Sequence, residues 1–403
     1  MDKIRVYSII RFLTSLALGT ILPVYVLYFR HYQINLFQIA LLAAIFEASI
    51  LIFEMPTGLV ADTYGRKISV ILSALASLIS GIFFIFFPFL FGFIMAEILN
   101  GLGETLRSGA LEAWLVDSLK HEDKEEKIKY AFAQGTKYRT VGNLSGLILG
   151  GYLASLNIKL VWVPFAVIFL VLSIFLILIM NEEYKIEKIV SGRIFSKISE
   201  TIKKSLVVIK SQKLILALLL LALFSEFSFE TISQYWQVHF SENLFIKTKY
   251  FGWILVISSA ITILLIDKVT GLSEKFKHEL SSLVILEILF VLSLLVIALT
   301  FSPIIAVFFF VLLQSFTSFK EPIFLDLYNK HIPSQQRATL LSFQSLVGSG
   351  GEVLAGLCIG VVALKFGLRI TFGVGSVVLF LGLVLFFLLM NKNGIKPSPI
   401  QEA

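Results

Sequence analysis

The sequence predicts an all-α membrane protein, with twelve transmembrane helices arranged as two pseudo-symmetric six-helix bundles. Three observations predict it. Of 403 residues, 57% are hydrophobic and only 15% charged, where a soluble domain carries about 25% charged residues. The apolar residues form runs such as Leu280–Thr300 and Phe372–Met390, close to the roughly 20 residues that cross a bilayer. In lipid, backbone polar groups must pair within their own segment, so such runs are helices. The third observation is an internal echo at an offset of 210 residues: Lys120-His121 with Lys330-His331, Gln134 with Gln344, Gly146-Leu147 with Gly356-Leu357, and Gly150 with Gly360.

Taken in order, the helices are expected at 8–30, 36–62, 68–88, 91–117, 130–155, 160–181, 213–239, 249–267, 279–301, 303–329, 337–364 and 369–391. The first is too long for a secretory leader, is interrupted by Pro23, and has no small-residue cleavage site after it, so it is expected to be retained. With the N-terminus inside, 23 of the 34 Lys and Arg fall in inner segments, 6 in outer loops and 5 within helices. This distribution predicts cytoplasmic termini in a plasma-membrane protein and explains the net charge of +7 without nucleic acid. Between the bundles, 1–181 and 213–403, lies a basic stretch at 182–212. Its Ile194, Ile198, Ile202 and Leu206 recur at helical spacing, which predicts an amphipathic helix on the membrane surface. The lone cysteine, Cys358, excludes an intramolecular disulfide.

Helix 2 ends in Glu54-Met-Pro-Thr-Gly58-Leu-Val-Ala-Asp62-Thr-Tyr-Gly65-Arg66-Lys67. Gly65 permits a tight turn, and Arg66 and Lys67 hold the loop on the inner side. Asp62 is suited to a cation or to the start of a neighbouring helix. This pattern, Gly-x-x-x-Asp-x-x-Gly-Arg-Lys, resembles the loop 2–3 motif of the major facilitator superfamily, residue by residue at Gly58, Asp62, Gly65, Arg66 and Lys67. The resemblance implies alternating-access transport, a substrate site between the two halves, and a pairing of Arg66 with an acid on helix 4, for which Asp117 is the candidate. Glu54-x-Pro56, with Glu47 seven residues earlier, is similar to the P-class tetracycline exporters. On helix 5, Gly142, Gly146, Gly150 and Gly151 match the glycines of the family's antiporter motif, with Leu147 where that motif has proline. Small residues four apart also serve simply to bring two helices close.

Ionisable groups at bilayer depth are costly and mark function by default. Glu104 and Arg107 are three apart and share a helix face. Glu226 and Glu230 are four apart, so their repulsion favours one shared proton. These two, with Glu47, Glu54 and Glu104, are the proton-coupling candidates. Each pair would equally serve as a structural interhelical hydrogen bond. Tyr25, Tyr28, Phe229, Tyr235 and Trp236, with Arg107, are expected to line a substrate cavity, an arrangement suited to an amphipathic cation.

There is no nucleotide phosphate loop and no metal-ligand spacing among the five histidines, so neither enzymatic chemistry, cofactor nor metal is expected. The expected partners are a small molecule, protons and the bilayer, with the chain a monomer. The leading expectation is proton-coupled drug efflux, tetracycline-like. The alternatives are uptake or exchange of a metabolite or oxyanion, using Arg107, Arg139 and Lys320, and a non-transporting receptor on the same fold.

Overall fold

The computed structural model describes residues 2–182, 213–275, 279–332 and 337–391. Beyond Glu182, the amphipathic pattern expected in the linker lies outside the described residues. Among those residues, twelve helical spans follow one another. They are α1 (Lys3–His31), α2 (Leu36–Tyr64), α3 (Arg66–Phe86), α4 (Leu90–Arg107 and Ala110–His121), α5 (Ile128–Leu156) and α6 (Trp162–Ile179). Then come α7 (Lys213–Val238), α8 (Phe251–Lys275), α9 (Glu279–Leu299), α10 (Pro303–His331), α11 (Arg337–Phe366) and α12 (Leu368–Asn391).

Nine of the twelve are, among the described residues, apolar enough over their length to cross a membrane. The others are α4, α5 and α11. Two of these are diluted by charge: α4 carries Glu97, Glu104 and Arg107, and α5 carries Lys129, Lys137 and Arg139.

Local chemistry sets the breaks. Pro23 lies in a single 3-10 turn, Leu22–Val24, that interrupts α1. A capping box starts α2: Gln38 N–H donates to Asn35 Oδ1 at 2.9 Å, and Asn35 N–H donates to Gln38 Oε1 at 3.0 Å. The sequence reading runs helix 4 unbroken over 91–117, but the chain breaks at Ser108-Gly109, where Gly109 takes φ 74°. A hydrophobicity pattern carries no trace of that turn.

By its internal contacts the chain forms two compact units, Met1–Ser191 with Ile246–Val256, and Gly192–Phe245 with Ile257–Ala403. The short 246–256 segment groups with the first unit, although chain order puts it in the expected second bundle. Glycines permit this: a Cβ on Gly252 would run into the Leu147 carbonyl, and one on Gly151 would lie 3.2 Å from Gly252 N.

In the first unit α1 lies along α5, and α3 is tied to α4 by a ladder of serines. Ser69 donates to Leu106 O at 2.6 Å, Ser73 to Gly103 O at 2.6 Å, and Ser80 to Ala96 O at 2.8 Å. Such bonds satisfy polar groups without water and hold helices together in lipid. In the second unit Ser228 on α7 donates to Gly375 O on α12 at 2.8 Å.

Candidate functional site

The loop after α2 is built around Gly65, which takes φ 108°, ψ 151°. There the chain reverses directly into α3. Arg66 forms an ion pair with Asp117 on the second piece of α4. The N-terminus of α3 carries an anion, and it is Glu182, the residue where the described chain leaves α6. Its two carboxylate oxygens accept from the N–H groups of Arg66 and Lys67, each at 3.0 Å. The sequence offered Asp62 for a role of this kind. Asp62 is half-buried on the last turn of α2 and has no hydrogen bond or ion pair among the described residues. Gly58 faces open space, since a Cβ there would meet nothing within 4 Å.

The four glycines of α5 fall into two sets. A Cβ on Gly142, Gly146 or Gly150 would collide with the carbonyl of Phe12, Leu16 or Thr20 on α1, whereas Gly151 faces the 248–252 segment. Close backbone approach is therefore what these positions provide.

Among the membrane-depth charges of the first unit, Glu104 and Arg107 pair on α4, as their spacing predicts. Arg11 pairs with Glu112 at 2.9 Å. Tyr25 donates to Glu97, which is 1% exposed. Glu97 is a lone acid in an apolar run, and that isolation is the signal by which the sequence could have singled it out. Glu47 is half-buried and Glu54 exposed, and neither is paired with another described residue. Tyr28 belongs to the packed interior and corrects the expectation of a cavity aromatic. Its hydroxyl donates to Phe84 O at 2.5 Å and its ring sits 5.8 Å from Trp162.

The second unit contains a cavity of about 410 Å³. Four carboxylates line it, one from each of four helices: Glu226 on α7, Glu287 on α9, Glu321 on α10 and Glu352 on α11. Among the described lining residues one ammonium, Lys320, stands with them. The expected Glu226–Glu230 pair is divided. Glu226 faces the cavity, while Glu230, one turn on, accepts from Gln234 Nε2 at 2.5 Å and is absent from the lining. Phe229, Tyr235 and Trp236 do not line it either. Tyr235 is fully buried and Trp236 stacks on Phe310 at 4.8 Å, so both serve packing; the aromatic that faces the cavity is Phe324. These three follow the lining residues of α7 along the helix, and the cavity takes its aromatic wall from α10 instead. The sequence reading gives Glu287 no role and names Lys320 only as a cation for anion uptake. They are 33 residues apart, and nothing in a linear pattern joins them. Among the described residues no His, Cys, Asp and Glu are grouped so as to hold a metal.

Twelve helical spans, nine of them apolar enough to cross a membrane among the described residues, mark a multi-pass membrane protein, and the family match makes it a transporter. The chain belongs to the Major Facilitator Superfamily, which it matches over residues 7–355. It is 29% identical over 375 residues to the "Uncharacterized MFS-type transporter YxaM" of Bacillus subtilis (strain 168), covering 93% of this chain and 92% of that one. Its fold is similar to the crystal structure of the nucleoside transporter NupG, with TM-score 0.79 and 12% identity over 97% of this chain and 99% of that one. It is also similar to a bacterial homolog of the human lysosomal transporter Spinster in an inward-facing, occupied conformation, with TM-score 0.72, 14% identity and 98% of each chain covered. At these identities the two structures speak to the fold alone.

Proposed function

We propose that this transporter exports an amphipathic organic cation in exchange for protons across the plasma membrane, with both termini cytoplasmic and the chain acting as a monomer. One observation carries the reading: among its described lining residues the cavity of the second unit has four carboxylates to one ammonium. Carboxylates gathered in a confined space repel one another and hold protons that a cation can replace. Glu226 is the coupling residue in this scheme, and the Arg66–Asp117 clasp belongs to the conformational switch. A tetracycline–metal chelate is the first named substrate to try. The alternative of anion uptake would use Arg107, Arg139 and Lys320; Arg107 is paired with Glu104 and Lys320 stands beside Glu287, while Arg139 is exposed with no ion pair among the described residues.

The test is internal pH in proteoliposomes as tetracycline, ethidium or an oxyanion is added. We expect proton movement on adding one of the cationic or chelating drugs, lost in Glu226→Gln while the variant still reconstitutes. A proton response to the oxyanion alone, or an unchanged drug response in Glu226→Gln, overturns the proposal.

A further inference from the structure

Ser225, Glu287 and Lys320 meet in the wall of the cavity, drawn from α7, α9 and α10. Lys320 Nζ lies 3.5 Å from Glu287 Oε1 and donates to the Ser225 hydroxyl. That hydroxyl donates in turn to Glu287 Oε2 at 3.0 Å. The ammonium also stands over the Phe290 ring, 5.4 Å from its centroid. Ser225 is 1% exposed, Glu287 2% and Lys320 8%.

Taking two charges out of water is costly, and apolar side chains of similar size commonly pack as well or better. At 3.5 Å the ion pair is also long. Packing alone is therefore a poor reason for it. A carboxylate, a hydroxyl and the face of an aromatic ring are together what an organic ammonium binds. Here that constellation is already occupied, by an ammonium belonging to the protein.

We propose that Lys320 is the specificity-determining residue of this cavity: a tethered stand-in for the ligand's positive charge, displaced from Glu287 when a monovalent organic cation binds. The four-carbon stem of lysine lets its ammonium swing, and Glu226 and Glu321 line the same cavity. At Glu287 one charge enters and one moves aside, so the exchange at this carboxylate releases no proton and leaves the coupling to Glu226. Lys320 thereby sets a threshold, because a ligand must hold Glu287 better than Lys320 does. The inference rests on the export reading for the sign of the ligand's charge, and on neither its direction nor its coupling.

Binding of radiolabelled tetraphenylphosphonium to the purified full-length protein in detergent tests it without any gradient. The charge of this probe does not titrate. Lys320→Met should bind it more tightly, and Glu287→Gln more weakly, each by at least about fivefold, the lower end for coupled sites. The double variant should bind more tightly than Glu287→Gln alone. Unchanged or weaker binding in Lys320→Met overturns the proposal. Should Lys320→Met fail to fold, the double variant, which buries no lone charge, decides: affinity equal to that of Glu287→Gln rejects a competing role for Lys320. Failure of the export reading is separately visible. The expected binding pattern without drug-driven proton flux in liposomes keeps the cavity site and removes the coupling. Flux with unaltered binding in Lys320→Met does the reverse.

Discussion

Gly65 and Gly58 stand in one motif and carry different physical burdens. Gly65 takes φ 108° between two helices, a region costly to any residue with a Cβ. Gly58 lies inside α2 with open space where its Cβ would be. We expect Gly65→Ala to destabilise the protein by about 1–3 kcal/mol, the range for backbone strain of this kind. Gly58→Ala should leave the melting temperature unchanged or raise it, since alanine is the better helix former. Thermal unfolding in detergent separates the two, and equal losses would contradict this account. The same motif shows what single residues can and cannot announce. The Arg66–Asp117 pair is suggested by family resemblance, and Gly65 by its chemistry. Glu182 capping α3 was not legible, because it depends on where the chain returns more than a hundred residues later.

At the scale of elements, the apolar runs made the helices plain, and four-residue glycine spacing marked α5 as a close-packing helix. The spacing could not name its partner, and it said nothing of the break in α4, which depends on one glycine dihedral. A Cβ at position 150 would strike the Thr20 carbonyl, and overfilling a tight contact costs about 1–3 kcal/mol. Gly150→Ala should therefore lower the melting temperature in detergent clearly. Ser73→Ala, which removes one rung of the α3–α4 ladder, should cost only about 0.6 kcal/mol, the average for such bonds in a membrane. A larger loss for Ser73→Ala than for Gly150→Ala would reverse the ranking of glycine seats over serine rungs.

For the whole molecule, twelve helical spans and the Lys and Arg distribution underlie a proposed topology that labelling can read. On a Cys358→Ser background, Glu122→Cys and Asn157→Cys flank α5. A membrane-impermeant maleimide added outside cells should label the second and not the first. Labelling of Glu122→Cys from outside would turn the proposed orientation over. The 210-residue echo led to the expectation of two halves, whereas the cavity was not legible, since its four described carboxylates come from four helices.

The seating of α1 on α5 has a mechanical consequence. Positions 142, 146 and 150 are spaced so that successive notches stand about 6 Å apart along the axis, at 1.5 Å per residue. A shift of less than a full notch would press side chains against the carbonyls that the glycines now admit. The pair is therefore indexed like a ratchet and resists small sliding. Bending of α1 and α4 falls most readily at the places where those helices are already broken, the Leu22–Val24 turn and the Ser108-Gly109 step.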